Sequence, residues 1–274
     1  MINYVSTRGM EGSFSAAEAI VKGIADDKGL FVPTKIPALS VSFDELAKMT
    51  YQQVAKLVIG SFFSDFTSEE IEYCVDNAYD EKFEVPEIAK ITKAGGANFL
   101  ELYHGKTAAF KDMALSILPY LMTTSMKKLG VDKKVCILTA TSGDTGKAAL
   151  EGFADVENTE IIVFYPKDGV SEVQRRQMVT QEGKNVHVYA IEGNFDDAQT
   201  GVKKLFTDNV LKEELASKGY VFSSANSINI GRLIPQVAYY VYAYSRLVAA
   251  GDIEASDAIN ITVPTGNFGN ILAA

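Results

Sequence analysis

From residue 98 onward, strand-length runs rich in Val and Ile alternate with segments of helical spacing, and this alternation constrains the fold more than any other feature. The runs typical of strands are 98–103, 135–140, 161–165, 186–191, 220–222 and 259–263. Two of the intervening segments, 112–129 and about 230–250, are long and apolar. Branched apolar strands separated by helices are typical of βαβ units. The pattern therefore predicts an α/β protein built on a parallel sheet.

The first 95 residues have a different pattern and predict a mainly helical region. Ser42 followed by Glu45 forms a capping-box pattern, which predicts a helix that continues to Phe62. The Gly-rich stretch 94–98 separates this region from the strands that follow. On this basis we predict three parts: a mainly helical N-terminal region at 1–95, an α/β domain at 96–223, and the start of a larger domain at 224–274.

Composition narrows the class of protein. The chain has 274 residues, 47% of them apolar, and its formal charge of −9 disfavours nucleic-acid binding, which needs clustered Lys and Arg. No apolar run reaches the roughly 18 residues of a membrane span, and the first residues lack an apolar signal core. The two cysteines and two histidines have no metal-ligand spacing. We expect a cytoplasmic monomer or homodimer without a metal, acting on a small molecule rather than on nucleic acid or a membrane.

Two glycine-rich loops follow predicted strands and precede predicted helices. TSGDTG at 141–146 and PTGNFGN at 264–270 both allow backbone amides to point at a ligand near a helix N-terminus. The first is not a Walker A loop, because Thr141 and Ala148 stand where that pattern needs glycine and a hydroxyl residue. Each loop alone is also compatible with an ordinary strand-to-helix turn. Two such loops in one chain predict two anionic groups to be held, such as a cofactor phosphate and a substrate carboxylate.

Two further segments carry candidate ligands. Lys111 ends the small-residue stretch HGKTAAFK at the start of an apolar helix, where desolvation lowers the pKa of a lysine and suits it to imine formation. In SSANSINIGR, Ser227 and Arg232 lie near a predicted helix N-terminus, and arginine can bind phosphate through two hydrogen bonds. The alternatives are a surface lysine, a capping serine and a solvated arginine.

Six segments, in order, resemble the threonine synthase family of the tryptophan-synthase-β-like, fold type II pyridoxal-phosphate enzymes. They are FSAAEAIVKGIADDKGLFVP, LELYHGKTAAFKDMA, ILTATSGDTGKAA, EGNFDDA, SSANSINIGRLIPQ and VPTGNFGN. The resemblance implies a three-layer parallel-sheet sandwich, of which this chain holds the N-terminal portion and an incomplete large domain. It also implies pyridoxal 5′-phosphate as cofactor and conversion of O-phospho-L-homoserine and water to L-threonine and phosphate.

The resemblance also implies roles for residues at matching positions. Lys111 matches the lysine that forms the Schiff base with the cofactor, and Ser142 and Thr145 match the residues that clamp the substrate carboxylate. Asp144 stands near the cofactor's 3′-oxygen, where the wider fold group often has asparagine. The implied cofactor-phosphate loop is Gly266, Asn267, Phe268, Gly269 and Asn270. The implied ligands of the substrate phosphate are Ser227 and Arg232, with Arg176 as a further candidate on a helix that aligns less closely.

The sequence departs from the family pattern in two places. Lys106 stands where the family commonly has proline, and it either loosens that turn or adds a cation near the phosphate. The family also continues well past the GNFGN loop, and its later part supplies the partner of the pyridine nitrogen. We therefore expect the 274-residue form to be catalytically incompetent and to bind the cofactor weakly or not at all.

Three alternatives remain open: a threonine-synthase-like phospho-lyase, a threonine or serine dehydratase, and a non-catalytic fragment. The long N-terminal region and the NSINIGR segment argue against a dehydratase. The intact Lys111 and both glycine loops argue against a pseudoenzyme.

Overall fold

The first part of the chain is mainly helical, as the sequence predicts. The computed structural model describes residues 1–266 and 268–274. The elements of the first part are β1 (Tyr4–Ser6), α1 (Ala16–Lys22), β2 (Phe31–Pro33), α2 (Phe43–Leu46), α3 (Tyr51–Phe62) and α4 (Ser68–Ala78). Strands β1 and β2 pair antiparallel, and each of the four helices begins at a capping box that satisfies its first backbone amides.

The predicted continuous helix from Ser42 to Phe62 is wrong, because the segment forms two helices. Helix α2 ends after one turn, and Thr50 then caps α3 with Gln53 returning the hydrogen bond. A second Ser/Thr cap inside the segment offers the backbone an alternative to continuing the first helix. The interruption follows from Thr50, which the single-helix prediction did not use.

A β-hairpin links the helical part to the rest of the chain. Strands β3 (Lys90–Ala94) and β4 (Ala97–Glu101) pair antiparallel around Gly95 and Gly96. Both glycines have positive φ, 56° and 79°, as a two-residue hairpin turn requires. The strand predicted at 98–103 therefore lies outside the parallel sheet, because the short turn favours local pairing. The proposed boundary between residues 95 and 96 falls inside this hairpin.

A four-stranded parallel sheet forms the centre of the α/β part. Its strands are β5 (Lys134–Ala140), β6 (Thr159–Pro166), β7 (Val186–Ile191) and β8 (Tyr220–Ser224), in the order β7-β6-β5-β8. The helices of this part are α5 (Asp112–Leu115), α6 (Leu118–Leu129), α7 (Asp144–Phe153), α8 (Glu172–Val179), α9 (Phe195–Thr207) and α10 (Asn209–Ser217). Parallel pairing brings the carboxyl ends of the strands, and the loops that follow them, to one edge of the sheet.

Alternate residues of β5 pack on opposite faces of the sheet, which gives three layers. Val135 and Ile137 join the main core together with residues of α7. Cys136 and Leu138 pack with residues of α9 in a second apolar cluster. Helices on both faces of a parallel sheet confirm the predicted α/β architecture.

The predicted long helix at 112–129 is divided into α5 and α6. Pro119 occupies the second position of α6. Proline has no backbone N–H to donate to the preceding turn, so it is tolerated in a first turn and interrupts a helix interior. The division leaves α5 as a single turn directly after Lys111.

The last part of the chain contains a long helix that joins the other parts. Helix α11 (Ile230–Ala249) packs against α1, α2, α3, α5 and α6, and the short α12 (Gly269–Ala273) follows. The strand predicted at 259–263 is wrong for the described structure, in which no described residue pairs with it. A strand forms only where its backbone pairs with another strand, so an apolar sequence without a paired strand does not form one. None of the described helices is both long and apolar enough to cross a membrane.

Candidate functional site

Lys111 lies directly before α5, and its amine faces the first residue of α7. The Lys111 Nζ is 3.6 Å from Asp144 Oδ2 and 4.8 Å from the centroid of the Phe110 ring. Burial lowers the pKa of Lys111 below its ordinary value; Asp144 opposes this effect and the charge of Arg232 adds to it. A lowered pKa keeps more of the amine neutral, which is the form that attacks a carbonyl. The position therefore suits an amine nucleophile.

The loop before Lys111 is held by the buried carboxylate of Asp112. The backbone N–H of Thr107 donates to Asp112 Oδ2 at 2.8 Å, and Thr107 Oγ1 donates to Oδ1 at 2.5 Å. Gly105 permits this approach, since a Cβ there would lie 2.6 Å from Asp112. Burial raises the pKa of Asp112. Asp112 was not predicted as a site residue, although Gly, Thr and Asp within eight positions are typical of a turn closed by a side chain.

Lys106 is held by a carboxylate on α7. Its Nζ is 3.3 Å from Glu151 Oε1, and Lys147 Nζ is 3.4 Å from Glu151 Oε2. The TSGDTG loop leads into the N-terminus of α7, and Glu151 lies two turns further along this helix. Of the two alternatives for Lys106, the cation near a phosphate is thus not supported, because the amine points along α7 to Glu151.

The TSGDTG loop is organised by the hydroxyl of Thr141 at the end of β5. Thr141 Oγ1 accepts hydrogen bonds from the backbone N–H groups of Gly143 at 2.9 Å and Gly146 at 2.8 Å. Thr141 itself is buried, while Ser142 is exposed and Thr145 half-buried at the head of α7. The loop therefore presents Ser142 and Thr145 at a helix N-terminus, as predicted for an anion site. From the sequence, Thr141 was used only as a mismatch to the Walker A pattern, and its function as acceptor for two backbone amides was not predicted.

Arg232 is a buried cation with no carboxylate among its described partners. Its side chain lies within the first turn of α11 and is 3% exposed. Nη1 donates to the Ala225 carbonyl at 2.9 Å, and Nε has no hydrogen-bond partner among the described residues. Burial lowers the pKa of Arg232 to about 10. A buried guanidinium with an unused donor is costly unless an anion completes it, so this geometry would suit an anion as ligand.

The second glycine loop approaches the Arg232 segment at Ser227. A Cβ on Gly269 would lie 3.1 Å from Ser227 Cβ, so glycine permits the close contact. Asn270 does not present its side chain to a ligand: Nδ2 donates to Tyr239 Oη at 2.7 Å, and Oδ1 accepts from Tyr240 Oη. Asn270 thus anchors the loop to α11, which the sequence did not indicate. Phe268 is exposed, and Asn267 lies outside the described residues.

Arg176 is the predicted phosphate ligand that the structure does not bring to the site. It is on α8, its side chain is 72% exposed, and its Nε is 2.7 Å from Glu172 Oε1. Gln174, two positions earlier, faces Asp144, and residues two apart on a helix point roughly 200° apart. Arg176 consequently points away from the Asp144 side of the site.

A groove of about 1760 Å³ runs along the phosphate-loop side of the site. Its lining includes Ser227, Gly266 and Gly269 together with apolar residues of α9 and β8. Neither Lys111 nor Arg232 is part of this lining, so the groove lies beside the second glycine loop and not against the amine.

The residues present fit pyridoxal 5′-phosphate. Lys111 offers a desolvated primary amine for an aldehyde, and Asp144 stands beside it. Gly266 has no described atom within 4 Å of an added Cβ, and this open space suits a phosphate against the backbone. The unused Nε of Arg232 provides a donor for a second anion.

Comparison with known proteins finds similarity to threonine synthases. A family model described as "Threonine synthase N terminus" matches residues 3–79. The chain is 38% identical to threonine synthase-like 1 of Homo sapiens, covering 94% of this chain and 36% of that protein. It is 37% identical to threonine synthase of Pseudomonas aeruginosa, covering 99% of this chain and 56% of that protein.

Solved structures give the same result. The PLP-bound threonine synthase from Brucella melitensis matches with a TM-score of 0.87 and 37% identity, covering 100% of this chain and 57% of that one. The threonine synthase from yeast matches with a TM-score of 0.85 and 30% identity, covering 99% of this chain and 54% of that one. The chain thus spans about half the length of these threonine synthases.

The fold is similar to that of these threonine synthases, which agrees with the fold type II architecture expected from the sequence. Within this class the chain matches the N-terminal portion of the threonine synthases, as its ordered motifs predicted.

Proposed function

We propose that the protein converts O-phospho-L-homoserine and water to L-threonine and phosphate, with pyridoxal 5′-phosphate attached to Lys111. The observation that carries this proposal is the pairing of a desolvated amine at Lys111 with the buried, incompletely bonded cation of Arg232. An amine alone would suit many carbonyl reactions. An amine beside a buried anion site suits a phosphorylated or carboxylated substrate.

The residues of this chain would act mainly by binding, orientation and proton transfer. Bound pyridoxal phosphate supplies an electron sink for negative charge at the substrate Cα. Lys111, in its neutral form, would accept the Cα proton and then a Cβ proton as phosphate leaves Cγ. Protons would return at Cγ and Cα, and water would add its hydroxyl at Cβ. Asp144 would hold the amine in place and share a proton with the cofactor's 3′-oxygen.

Two anion sites would fix the substrate. Ser142, Thr145 and the loop amides at the head of α7 would bind the substrate carboxylate. Arg232 and Ser227 would bind its phosphate and stabilise the charge that develops as phosphate leaves Cγ. Of the cofactor loop, Gly266 and Gly269 would hold the cofactor phosphate, while Phe268 and Asn267 remain proposals from the family pattern.

Borohydride reduction tests the attachment of the cofactor. After incubation with a large excess of pyridoxal phosphate, which populates even weak binding, and reduction, mass spectrometry of the Lys111 peptide is expected to show the mass of the reduced adduct. Lys111→Ala should lose it, whereas Lys167→Ala, which removes an exposed lysine paired with Glu192, should not. An adduct distributed over many surface lysines, with none preferred, would refute the assignment.

We expect the 274-residue polypeptide by itself to form no threonine. The chain spans 56% of the threonine synthase of Pseudomonas aeruginosa and 57% of that of Brucella melitensis, so it has about half of the residues of those proteins. An assay of threonine from O-phospho-L-homoserine checks this expectation, and turnover by this polypeptide alone would contradict it.

A second candidate is a phospho-lyase that releases phosphate without forming threonine. The match to threonine synthase-like 1 of Homo sapiens covers 94% of this chain, and the name of that protein does not state threonine as a product. Measuring phosphate, threonine and 2-oxobutyrate together in the whole protein separates the candidates. Phosphate with an equal amount of threonine supports the first candidate, and phosphate with 2-oxobutyrate supports the second.

A further inference from the structure

Gln174 contacts the Asp144 end of the site, although it lies outside every segment assigned a role above. Its Oε1 accepts from the Ser171 backbone N–H at 3.3 Å and from Ser171 Oγ at 3.1 Å, which completes the capping box of α8. Its Nε2 donates to Asp144 Oδ1 at 2.7 Å. The other oxygen of Asp144 is 3.6 Å from Lys111 Nζ. A chain of polar contacts therefore runs from the N-terminus of α8 to the amine.

The orientation of the Gln174 amide follows from its partners. The Ser171 backbone N–H can only donate, so it must face the amide oxygen. The amide nitrogen is then directed at Asp144, a charged acceptor, and hydrogen bonds to charged acceptors are the stronger kind. The capping box thus orients the donor that holds the carboxylate.

Helix α8 is fixed against the TSGDTG loop by two glycines. Gly143 has a φ of 145°, and an added Cβ there would overlap the Gln174 amide. A Cβ on Gly146 would lie 2.8 Å from Met178 Sδ. Gln174 and Met178 are four residues apart and share one face of α8. These glycines therefore make room for α8, in addition to any role in presenting backbone amides.

We propose that Gln174 is a positioning residue that holds the Asp144 carboxylate against the Lys111 amine. The groups that face Lys111 are Asp144 from α7, Arg232 from α11 and the Phe110 ring from its own loop. Arg232 is buried, but the Asp144 side chain is 47% exposed and would otherwise rotate toward water. This inference rests on the proposed function only in that Lys111 is taken to be the amine that binds the cofactor.

The pH dependence of Lys111 acylation tests the proposal directly. An acid anhydride reacts with neutral amines, so labelling of the Lys111 peptide, read by mass spectrometry on the cofactor-free full chain, rises through the pKa of Lys111. Asp144 raises this pKa. Asp144→Asn should therefore move the midpoint of labelling to lower pH. Gln174→Met, which keeps the length but lacks the donor, should move it in the same direction, and the double variant should move no further than Asp144→Asn.

Two control variants separate the position of Asp144 from the stability of a helix. Gln53 occupies the same place in the capping box of α3, where its Oε1 accepts from the Thr50 N–H at 2.9 Å. Gln53→Met should leave the Lys111 midpoint unchanged. Ser171→Ala weakens the cap of α8 but keeps the Gln174–Asp144 bond, and it should also leave the midpoint unchanged.

The proposal is overturned if Gln174→Met keeps the wild-type midpoint, or shifts it equally with and without the Asp144 carboxylate. Gln174→Asn, whose amide is one methylene too short, gives the same test if the methionine variant does not fold. The labelling is done without cofactor. Failure to bind pyridoxal phosphate or to form threonine would therefore count against the proposed function, and the labelling midpoints would still test the role of Gln174.

Discussion

At the scale of single residues, the site is defined by two cations in unusual surroundings. Lys111 is largely desolvated beside Asp144, and Arg232 is buried with a donor that no described group accepts. Both arrangements cost free energy in the absence of a ligand, because burial disfavours charge. Residues placed at such a cost are candidates for binding and catalysis rather than for stability.

The first prediction concerns pH. Since burial lowers the pKa of Lys111, attachment of pyridoxal phosphate should rise with pH at lower values than attachment to the exposed Lys167. The unfolded chain binds this proton more tightly, so the contribution of Lys111 to the free energy of unfolding should increase as pH rises through its folded-state pKa. Site-resolved mass spectrometry after reduction at a series of pH values checks the order of the two lysines. Equal profiles would show that Lys111 is not desolvated.

The second prediction concerns Arg232. Arg232→Met should reduce the affinity for inorganic phosphate about ten- to hundredfold, the equivalent of a charge-assisted hydrogen bond. It should not lower the free energy of unfolding much, because an apolar side chain removes a desolvated charge. Isothermal titration calorimetry with phosphate and urea unfolding measure the two quantities. Arg246→Met, in the same helix, is the matched control and should leave phosphate affinity unchanged. Arg246 Nε also has no partner among the described residues, but Arg246 is only half-buried, is bonded to Ala47 and stacks on Tyr242.

At the scale of elements, one hydroxyl group links the carboxyl end of β5 to the start of α7 through hydrogen bonds. Thr141 Oγ1 satisfies two backbone amides that the helix cannot satisfy itself. Met178 and Gln174 of α8 then pack onto the glycines of the same loop. The shape of the TSGDTG loop therefore depends on β5, α7 and α8 together rather than on the glycines alone.

The third prediction tests this junction. Thr141→Val keeps the shape of the side chain and leaves the N–H groups of Gly143 and Gly146 without an acceptor, so it should cost about 2–4 kcal/mol of stability. Thr139→Val is the matched control, because Thr139 is equally buried and its Oγ1 has no partner among the described residues. That change should be neutral or stabilising, within about 1 kcal/mol. Similar losses for both variants, measured by urea unfolding, would contradict the assigned role of Thr141.

At the scale of the whole molecule, the three predicted parts share one hydrophobic core. The main core includes residues from Ile2 to Tyr242, and α11 packs across α1, α3 and α6. Tyr51 of α3 contacts Tyr242 of α11 edge to face, with ring centroids 5.4 Å apart. Packing of this kind couples the stability of the parts. The division at 95/96 and 223/224 thus remains a description of sequence pattern.

The fourth prediction follows from the shared core. The chain should unfold in urea in one transition, with the same midpoint by far-UV circular dichroism and by tyrosine fluorescence. A fragment of residues 96–274 should fail to fold cooperatively, because it exposes the faces of α6 and α11 that α1 and α3 cover. Two separated transitions, or a stably folded fragment, would show that the parts are independent domains.

Prediction from sequence succeeded where the signal is local. The strands predicted at 135–140, 161–165 and 186–191 are confirmed by the sheet, because branched apolar residues favour strands. It failed for Ser42 to Phe62 and for 112–129, where Thr50 and Pro119 interrupt the helices. Asp112, Thr141 and Gln174 were missed as site residues, because each acts on a neighbour through a fold-dependent hydrogen bond.

The amino-acid sequence by itself determined the alternation of strands and helices, the two glycine loops and the lysine at the start of a helix. These features depend on propensity, turn chemistry and short-range spacing, which are properties of neighbouring residues and do not require tertiary contacts. Tertiary structure alone decided which carboxylate faces Lys111, that Arg232 is buried while Arg176 is exposed, and that Asn270 is bound by two tyrosines. Those outcomes depend on distances between residues far apart in the chain, and such distances are set by how the elements pack.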